Sequence, residues 1–331
     1  MELPGTWRVR RPAAAAALIA VTAALGAGGS PASGGDAGRP SDSVNAGTRT
    51  QAASHVPSPA QSFPWIAASR TPSPSPTPAP TTARPAVDPV TAVREALDAL
   101  GPHTGRYTLA VEDLGTGVRA RYGERTGTYD TASIVKVDIL AALLLRGHGG
   151  IALTPGQRQL AEKMIRQSDN DATDVLWSDL GGPRALDAAN DTLGLGHTTA
   201  GDWGTWGLTQ TTAADQITLL QAVFGDDSPL TAAARDYIRS LMGSIVPGQD
   251  WGVTAASDPG ADRILKNGWL PRTRTKLWDV NSIGVVAYEG HELLVSVLSA
   301  DQRTREDGIA LVERVARTAV TALVGAGPSA V

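Results

Sequence analysis

The chain has 331 residues, 42% hydrophobic and 19% charged, with a formal net charge of −4. That composition fits a soluble protein of one or two domains, and it supplies no basic stripe for nucleic acid and no polybasic patch for a membrane surface. Cysteine is absent, which excludes disulfides, a thiol nucleophile, a cysteine metal site and a lipid-bearing N-terminal cysteine within this sequence.

The N-terminus reads as an export signal. Arg8, Arg10 and Arg11 precede an alanine-rich apolar run from Ala13 to about Ala27, and Ser30-Pro31-Ala32 offers a cleavage site. A basic region, a short apolar region and small residues make a secretory signal peptide over 1–32, with an uncleaved anchor as the alternative. Either form places the rest of the chain outside the cytoplasm, secreted or in the cell envelope. Residues 33–87 are rich in Pro, Ser, Thr and Ala, and "TPSPSPTPAPTTARP" at 71–85 cannot pack a core. This is an expected disordered linker, suited to carrying a domain through or above a cell wall.

The folded domain is expected over 88–331. Asp88-Pro89 is a helix start, with aspartate as cap and proline in the first turn, and Gly101 ends that helix. Residues 107–122 read as two strands around a turn at 113–117. Helical periodicity follows at 133–146, 155–167, 171–179, 183–193, 212–224 and 230–243. Strands return at 263–268, 280–289 and 291–300, the last two joined by Glu289-Gly290, and a final helix covers 304–323. This order predicts an α+β fold, with an antiparallel sheet built from both chain ends, flanking helices and an inserted helical subdomain.

Lys136 is out of place in the apolar run "TASIVKVDIL" at 131–140, in a chain with only four lysines. Three residues earlier stands Ser133, and residues three apart share a helix face. Burial and the positive end of a helix dipole both lower a lysine pKa, and a neutral lysine beside a serine is a general base for a serine nucleophile. A chance pairing, with Lys136 reaching solvent, is the competing reading of these two residues alone. "QSDND" at 167–171 puts Ser168-Asp169-Asn170 at a loop between helices, where a plain helix cap is the competing reading. "LKNGW" at 265–269 puts Lys266, Asn267 and Gly268 on a late strand, offering a charge, an amide and a close backbone approach. The five histidines are scattered without ligand spacing and read as surface or loop residues.

Together, Ser-x-x-Lys, then Ser-Asp-Asn, then Lys-x-Gly on a late strand resemble the S-x-x-K, S-D-N and K-T-G pattern of class A β-lactamases and penicillin-binding proteins. "SDNDATDVLWSDLGGPRAL" at 168–186 is similar to that family's helix after the Ser-Asp-Asn loop, and the resemblance covers about 89–325. It implies Ser133 as the acylated nucleophile, Lys136 as its activator and Ser168 as a proton relay. It also implies Asn170, Lys266, Asn267, Gly268 and Trp269 as substrate-binding positions. The oxyanion hole would be the backbone N–H groups of Ser133 and Trp269. The implied substrate is a β-lactam or a peptidoglycan-derived amide, and neither a metal nor an organic cofactor is implied.

Three departures qualify the resemblance. Asn267 replaces the family's Thr or Ser, with its amide expected to donate to a substrate carboxylate, and Arg272 or Arg274 to supplement it unless they simply face solvent. The Ser133–Ser168 stretch is short, so an open cleft is expected. No glutamate occurs from 163 to 288, whereas class A enzymes use one in the Ω-loop to activate the deacylating water. Asp202 is the acid in the corresponding loop, "GHTTAGDWGTWGLTQTTAADQ" at 196–216, and reads as a turn residue. The expectation is a serine hydrolase whose acyl-enzyme is long-lived. The alternatives are a penicillin-binding-type D,D-peptidase and a non-catalytic wall-binding module.

Overall fold

The computed structural model describes residues 87–123, 127–147 and 153–326, all within the unit Thr77–Val331. The export signal expected over 1–32 and the linker expected over 33–87, save for Val87, lie outside the described residues.

Asp88 caps α1 (Pro89–Asp98) by accepting from the Thr91 amide at 3.0 Å. Strands β1 (Arg106–Asp113) and β2 (Arg119–Tyr122) form a hairpin whose turn is held by Asp113, which accepts from the amides of Gly115 and Thr116. A two-residue strand β3 (Tyr129–Asp130) leads into a 3₁₀ turn, Ala132–Ile134, and then α2 (Val135–Leu144). Helices α3 (Pro155–Arg166), α4 (Asn170–Leu180) and α5 (Pro183–Leu193) follow, then β4 (Gln210–Thr211), α6 (Ala213–Phe224) and α7 (Ala232–Met242). The chain closes with β5 (Ile264–Pro271), β6 (Trp278–Tyr288), β7 (His291–Gln302) and α8 (Arg305–Ala326).

The five-stranded sheet has the order β2-β1-β7-β6-β5 with antiparallel neighbours throughout. Its centre joins the two ends of the domain: β1 pairs with β7 from Arg106↔Ala300 to Asp113↔Leu293. The expected α+β architecture is therefore present. Because β1, β6 and β7 are covered on both faces, their sequences are near-continuous apolar runs. Leu109, Val111, Val295 and Val297 point to one face, where they pack with Val93 and Leu97 of α1 and Val312, Val315 and Ala316 of α8. Ile283, Val285, Leu294 and Leu298 join the core on the helical side with α2 and α6. Every residue of α2 is buried, which explains why it reads as apolar all round instead of as a stripe.

Two details differ from the sequence expectation. The helix expected over 133–146 begins as a 3₁₀ turn, so Ser133 lies in the lead-in to α2. The β3–β4 pair, Tyr129↔Thr211 and Asp130↔Gln210, was not expected, since two residues cannot display an alternation. Among the described residues no helix is long and apolar enough to cross a membrane.

Candidate active site

Ser133 sits where three segments meet. Ala132 before it has φ +47°, an uncommon left-handed conformation for a residue with a Cβ. Asn281, fully buried on β6, fixes this turn by donating from Nδ2 to the carbonyls of Asp130 (2.8 Å) and Thr131 (3.0 Å), while its Oδ1 accepts from the Ser299 amide. Gly268 of β5 backs the turn directly. A Cβ at 268 would lie 2.7 Å from Ser133 N and 2.8 Å from Thr131 O, so only glycine lets the strand pass this close.

Lys136, the second residue of α2, is fully buried. Its amine donates to Ser168 O (2.6 Å), Asn170 Oδ1 (2.8 Å) and Ser168 Oγ (3.2 Å). Among the described residues no hydrogen bond joins Ser133 Oγ to it. Burial pulls the Lys136 pKa down to about 7, against the opposing pull of Asp169 and Asp174. Ser168 reaches the amine from a left-handed backbone, φ +58°, between α3 and α4. Asp169 is the N-cap of α4, accepting from the Ala172 amide at 2.7 Å, which frees Ser168 and Asn170 on either side to face Lys136. The plain-cap reading of this triplet thus applies to its middle residue.

Lys266 lies beneath the same point, 2% exposed. Its amine donates to Ser168 Oγ (3.0 Å) and to the Asn267 carbonyl (2.7 Å). Burial, then the charge of Lys136, hold its pKa well below the usual lysine range. With two lysines donating to it, the Ser168 oxygen has both acceptor sites engaged, which leaves its own proton to be directed elsewhere.

Asn267 needs a correction. Its Nδ2 donates to the carbonyls of Gln249 (2.8 Å) and Trp251 (2.7 Å), and the side chain is 1% exposed. Both donors are consumed by backbone, so the amide is not available to a substrate carboxylate. Trp269 does reach the surface of the site, tilted against Trp251 at 5.9 Å between centroids.

Ser133, Asn170 and Trp269 line one cleft of about 580 Å³, whose walls are the 204–208 loop and residues 270–275 at the end of β5 and just beyond it. Arg272 is drawn into ion pairs with Asp130 and Asp279. Arg274 is exposed and lines the cleft without an ion partner among the described residues. Asp202 builds a turn, its carbonyl accepting from Thr205 N and Oγ1 at 2.9 Å, and is not a cleft residue. Asp215 is likewise structural, accepting from His197 N and Thr198 Oγ1. The acid that does line the cleft is Asp174, which accepts from Trp206 Nε1 at 2.7 Å. Sequence reasoning missed it, although its position one turn after Asn170 on α4 places the two on one helix face. Trp203 packs edge-on to Trp177 and is 62% exposed.

The family described as "Beta-lactamase enzyme family" matches residues 146–323, more than half of the chain. This protein belongs to that family. The matched span takes in Ser168, Asn170 and Lys266 but begins after Ser133 and Lys136. A variant of the class A β-lactamase of the last common ancestor of Gram-negative bacteria is 25% identical, with a TM-score of 0.58, over 71% of this chain and 99% of that one. A class A β-lactamase from Bacteroides cellulosilyticus (16% identical, TM-score 0.61, 72% and 99% covered) and PBP-A (21%, 0.59, 71% and 96%) share the fold. The Mycobacterium tuberculosis protein LppW, named as a lipoprotein, is 29% identical over 226 residues, 65% of this chain and 70% of its own length.

Proposed function

We propose that this member of the β-lactamase family is an extracytoplasmic serine acyl-transfer enzyme acting on β-lactams or related cell-wall amides through an ester on Ser133. The observation that carries the reading is the convergence of two buried lysines on Ser168 Oγ beside the cleft that Ser133 lines.

In this reading Lys136 in its neutral form, having given up one of its three donated bonds, accepts the Ser133 Oγ proton on its free lone pair as the oxygen attacks the amide carbon. The backbone N–H groups of Ser133 and Trp269 receive the developing oxyanion, an arrangement worth a few kcal/mol per donor, roughly. Ser168 passes a proton from the Lys136 amine to the leaving nitrogen as the C–N bond breaks, and Lys266 orients Ser168. Asn170 fixes Lys136 and borders the substrate. With Asn267 committed to backbone and Lys266 sealed below the floor, a substrate carboxylate is met by Arg274. Neither metal nor organic cofactor enters these steps.

Deacylation has a weaker provision. Among the described residues no carboxylate is hydrogen-bonded to Lys136, Asp202 does not line the cleft, and the Asp215 carboxylate is taken up by His197 N and Thr198 Oγ1. A long-lived acyl-enzyme follows. The same observation favours a second reading, a penicillin-binding-type D,D-peptidase on peptidoglycan stems, for which water need not be the preferred acceptor. The N-terminal signal and Pro-rich linker support a location in the envelope or outside the cell, and the absence of cysteine excludes lipidation through that residue within this sequence.

The test is incubation of the protein with a chromogenic cephalosporin and a labelled penicillin while intact mass is followed. Turnover supports a β-lactamase. A persistent adduct that disappears in Ser133→Ala supports a slow hydrolase or D,D-peptidase, which release of D-alanine from a stem peptide then separates. No adduct with any β-lactam refutes the acylation reading and leaves the wall-binding module.

A further inference from the structure

Trp206 ties together two groups that govern how an acyl-enzyme would be released. Its ring lies over the Lys136 amine, 4.9 Å from Nζ to the centroid, and its Nε1 donates to Asp174 Oδ1 at 2.7 Å. The other contacts of that amine are Ser168 O, Ser168 Oγ and Asn170 Oδ1, so the indole covers a side of it that those atoms leave open. Asp174 is the one acid among the described residues that lines the cleft with Ser133. It is therefore the candidate acceptor for a proton from water, yet the indole N–H already occupies one of its oxygens.

The loop that carries Trp206 is firmly built. Leu208 N donates to Thr205 O (2.8 Å) and Thr209 N to Trp206 O (3.1 Å). Gly207 lies beside the Ser133 turn, where an added Cβ would be in ordinary contact with Ala132 Cα at 3.7 Å. The indole is thus held by the hydrogen-bonded turn that carries it and by its nitrogen against Asp174.

We infer that Trp206 is the positioning residue that sets the lifetime of the acyl-enzyme, by covering Lys136 and restraining Asp174 from serving as base to a hydrolytic water. This rests on the proposed ester at Ser133. With the ring removed, water enters beside Lys136. Asp174 takes a proton from it, the water oxygen bonds to the ester carbonyl carbon, the C–Oγ bond breaks, and the proton held by Asp174 returns to Ser133 Oγ.

The experiment measures formation and decay of a labelled penicillin adduct on the full chain by intact mass, with melting temperature as a check of folding. Trp206→Ala is expected to shorten the adduct half-life by about tenfold, less than the roughly hundredfold or more of an evolved general base. Trp206→Phe keeps the ring and is expected to retain a half-life nearer to that of the parent. The double variant Trp206→Ala with Asp174→Asn is expected to regain the long half-life, a reversal that simple loosening of the loop would not produce. An unchanged half-life in Trp206→Ala overturns the inference, as does a double variant that decays as fast as the single one. A parent protein that never forms an adduct refutes the acylation reading and this inference with it, whereas a normal adduct with unaltered decay refutes this inference alone.

Discussion

Lys136 Nζ and Lys266 Nζ donate to the same oxygen, Ser168 Oγ, at 3.2 and 3.0 Å. Two amines this close disfavour each other's charge, and both are buried. Burial brings Lys136 to about 7. As a base it acts when neutral, so the second-order rate of acylation is expected to rise with pH through about 7 and level off above it. Stopped-flow acylation by a penicillin between pH 5.5 and 8.5 checks this, and a flat profile would count against Lys136 as the base.

Gly268 and Ser133 fit closely against each other. In Gly268→Ala the new methyl would stand 2.7 Å from Ser133 N and 2.9 Å from Ile134 N, both backbone atoms that cannot swing aside. The expected result is a loss of about 1–3 kcal/mol in stability, typical of overpacking, together with a fall in acylation rate larger than that in any binding measure. Denaturant unfolding and adduct kinetics on one preparation separate the two effects.

Asn267 supplies a sharper contrast between motif and geometry. Replacing it by the family's Thr is expected to impair the protein, because a hydroxyl has one donor for two carbonyls, Gln249 O and Trp251 O. The unpaired carbonyl costs about 1–3 kcal/mol. Chemical denaturation of Asn267→Thr reads this loss, and a variant as stable as the parent with tighter penicillin binding would show that the side chain faces the substrate after all.

Asp138 tests a different part of α2. It is fully buried, and burial, aided by the charges of Asp187 and Asp215, pushes its carboxyl up to about 8, with a hydrogen bond to Asn190 opposing. The folded state then holds a proton that the unfolded chain releases near the ordinary carboxylate value. Stability from this group is fully present below that value and is lost as pH rises toward about 8. Asp138→Asn removes the dependence, so its melting temperature relative to the parent is expected to climb between pH 5 and pH 8. A difference that stays constant over that range contradicts the assignment.

Much of the fold was legible because its signals are local. Asp88-Pro89 announces α1, and the apolar runs of β6 and β7 with Glu289-Gly290 between them announce the final hairpin. The α+β order followed from strands at both ends with helices between. The site was legible where its residues are near one another in sequence: Ser133 and Lys136 stand three apart across the 3₁₀ turn that opens α2, and Ser168 and Asn170 flank the α4 cap and both reach Lys136. It was not legible where partners lie far apart in sequence. Asn281 holds the Asp130 and Thr131 carbonyls from about 150 residues away, and in the sequence nothing separates it from its polar neighbours on the same strand, Asp279 and Ser282. Trp206 meets Lys136 and Asp174 only through a loop whose path no periodicity encodes. The direction of the Asn267 amide depended on where Gln249 and Trp251 lie, on a segment without regular pattern.

Acylation at Ser133 underlies every proposed step, and the position of the adduct is the most direct thing to measure. The full chain is incubated with a penicillin, digested and mapped by peptide mass, beside Ser133→Ala and Lys136→Ala. One adduct is expected, on the peptide containing Ser133, absent from the first variant and formed far more slowly in the second. An adduct on any other residue, or one that persists in Ser133→Ala, would contradict acylation at Ser133.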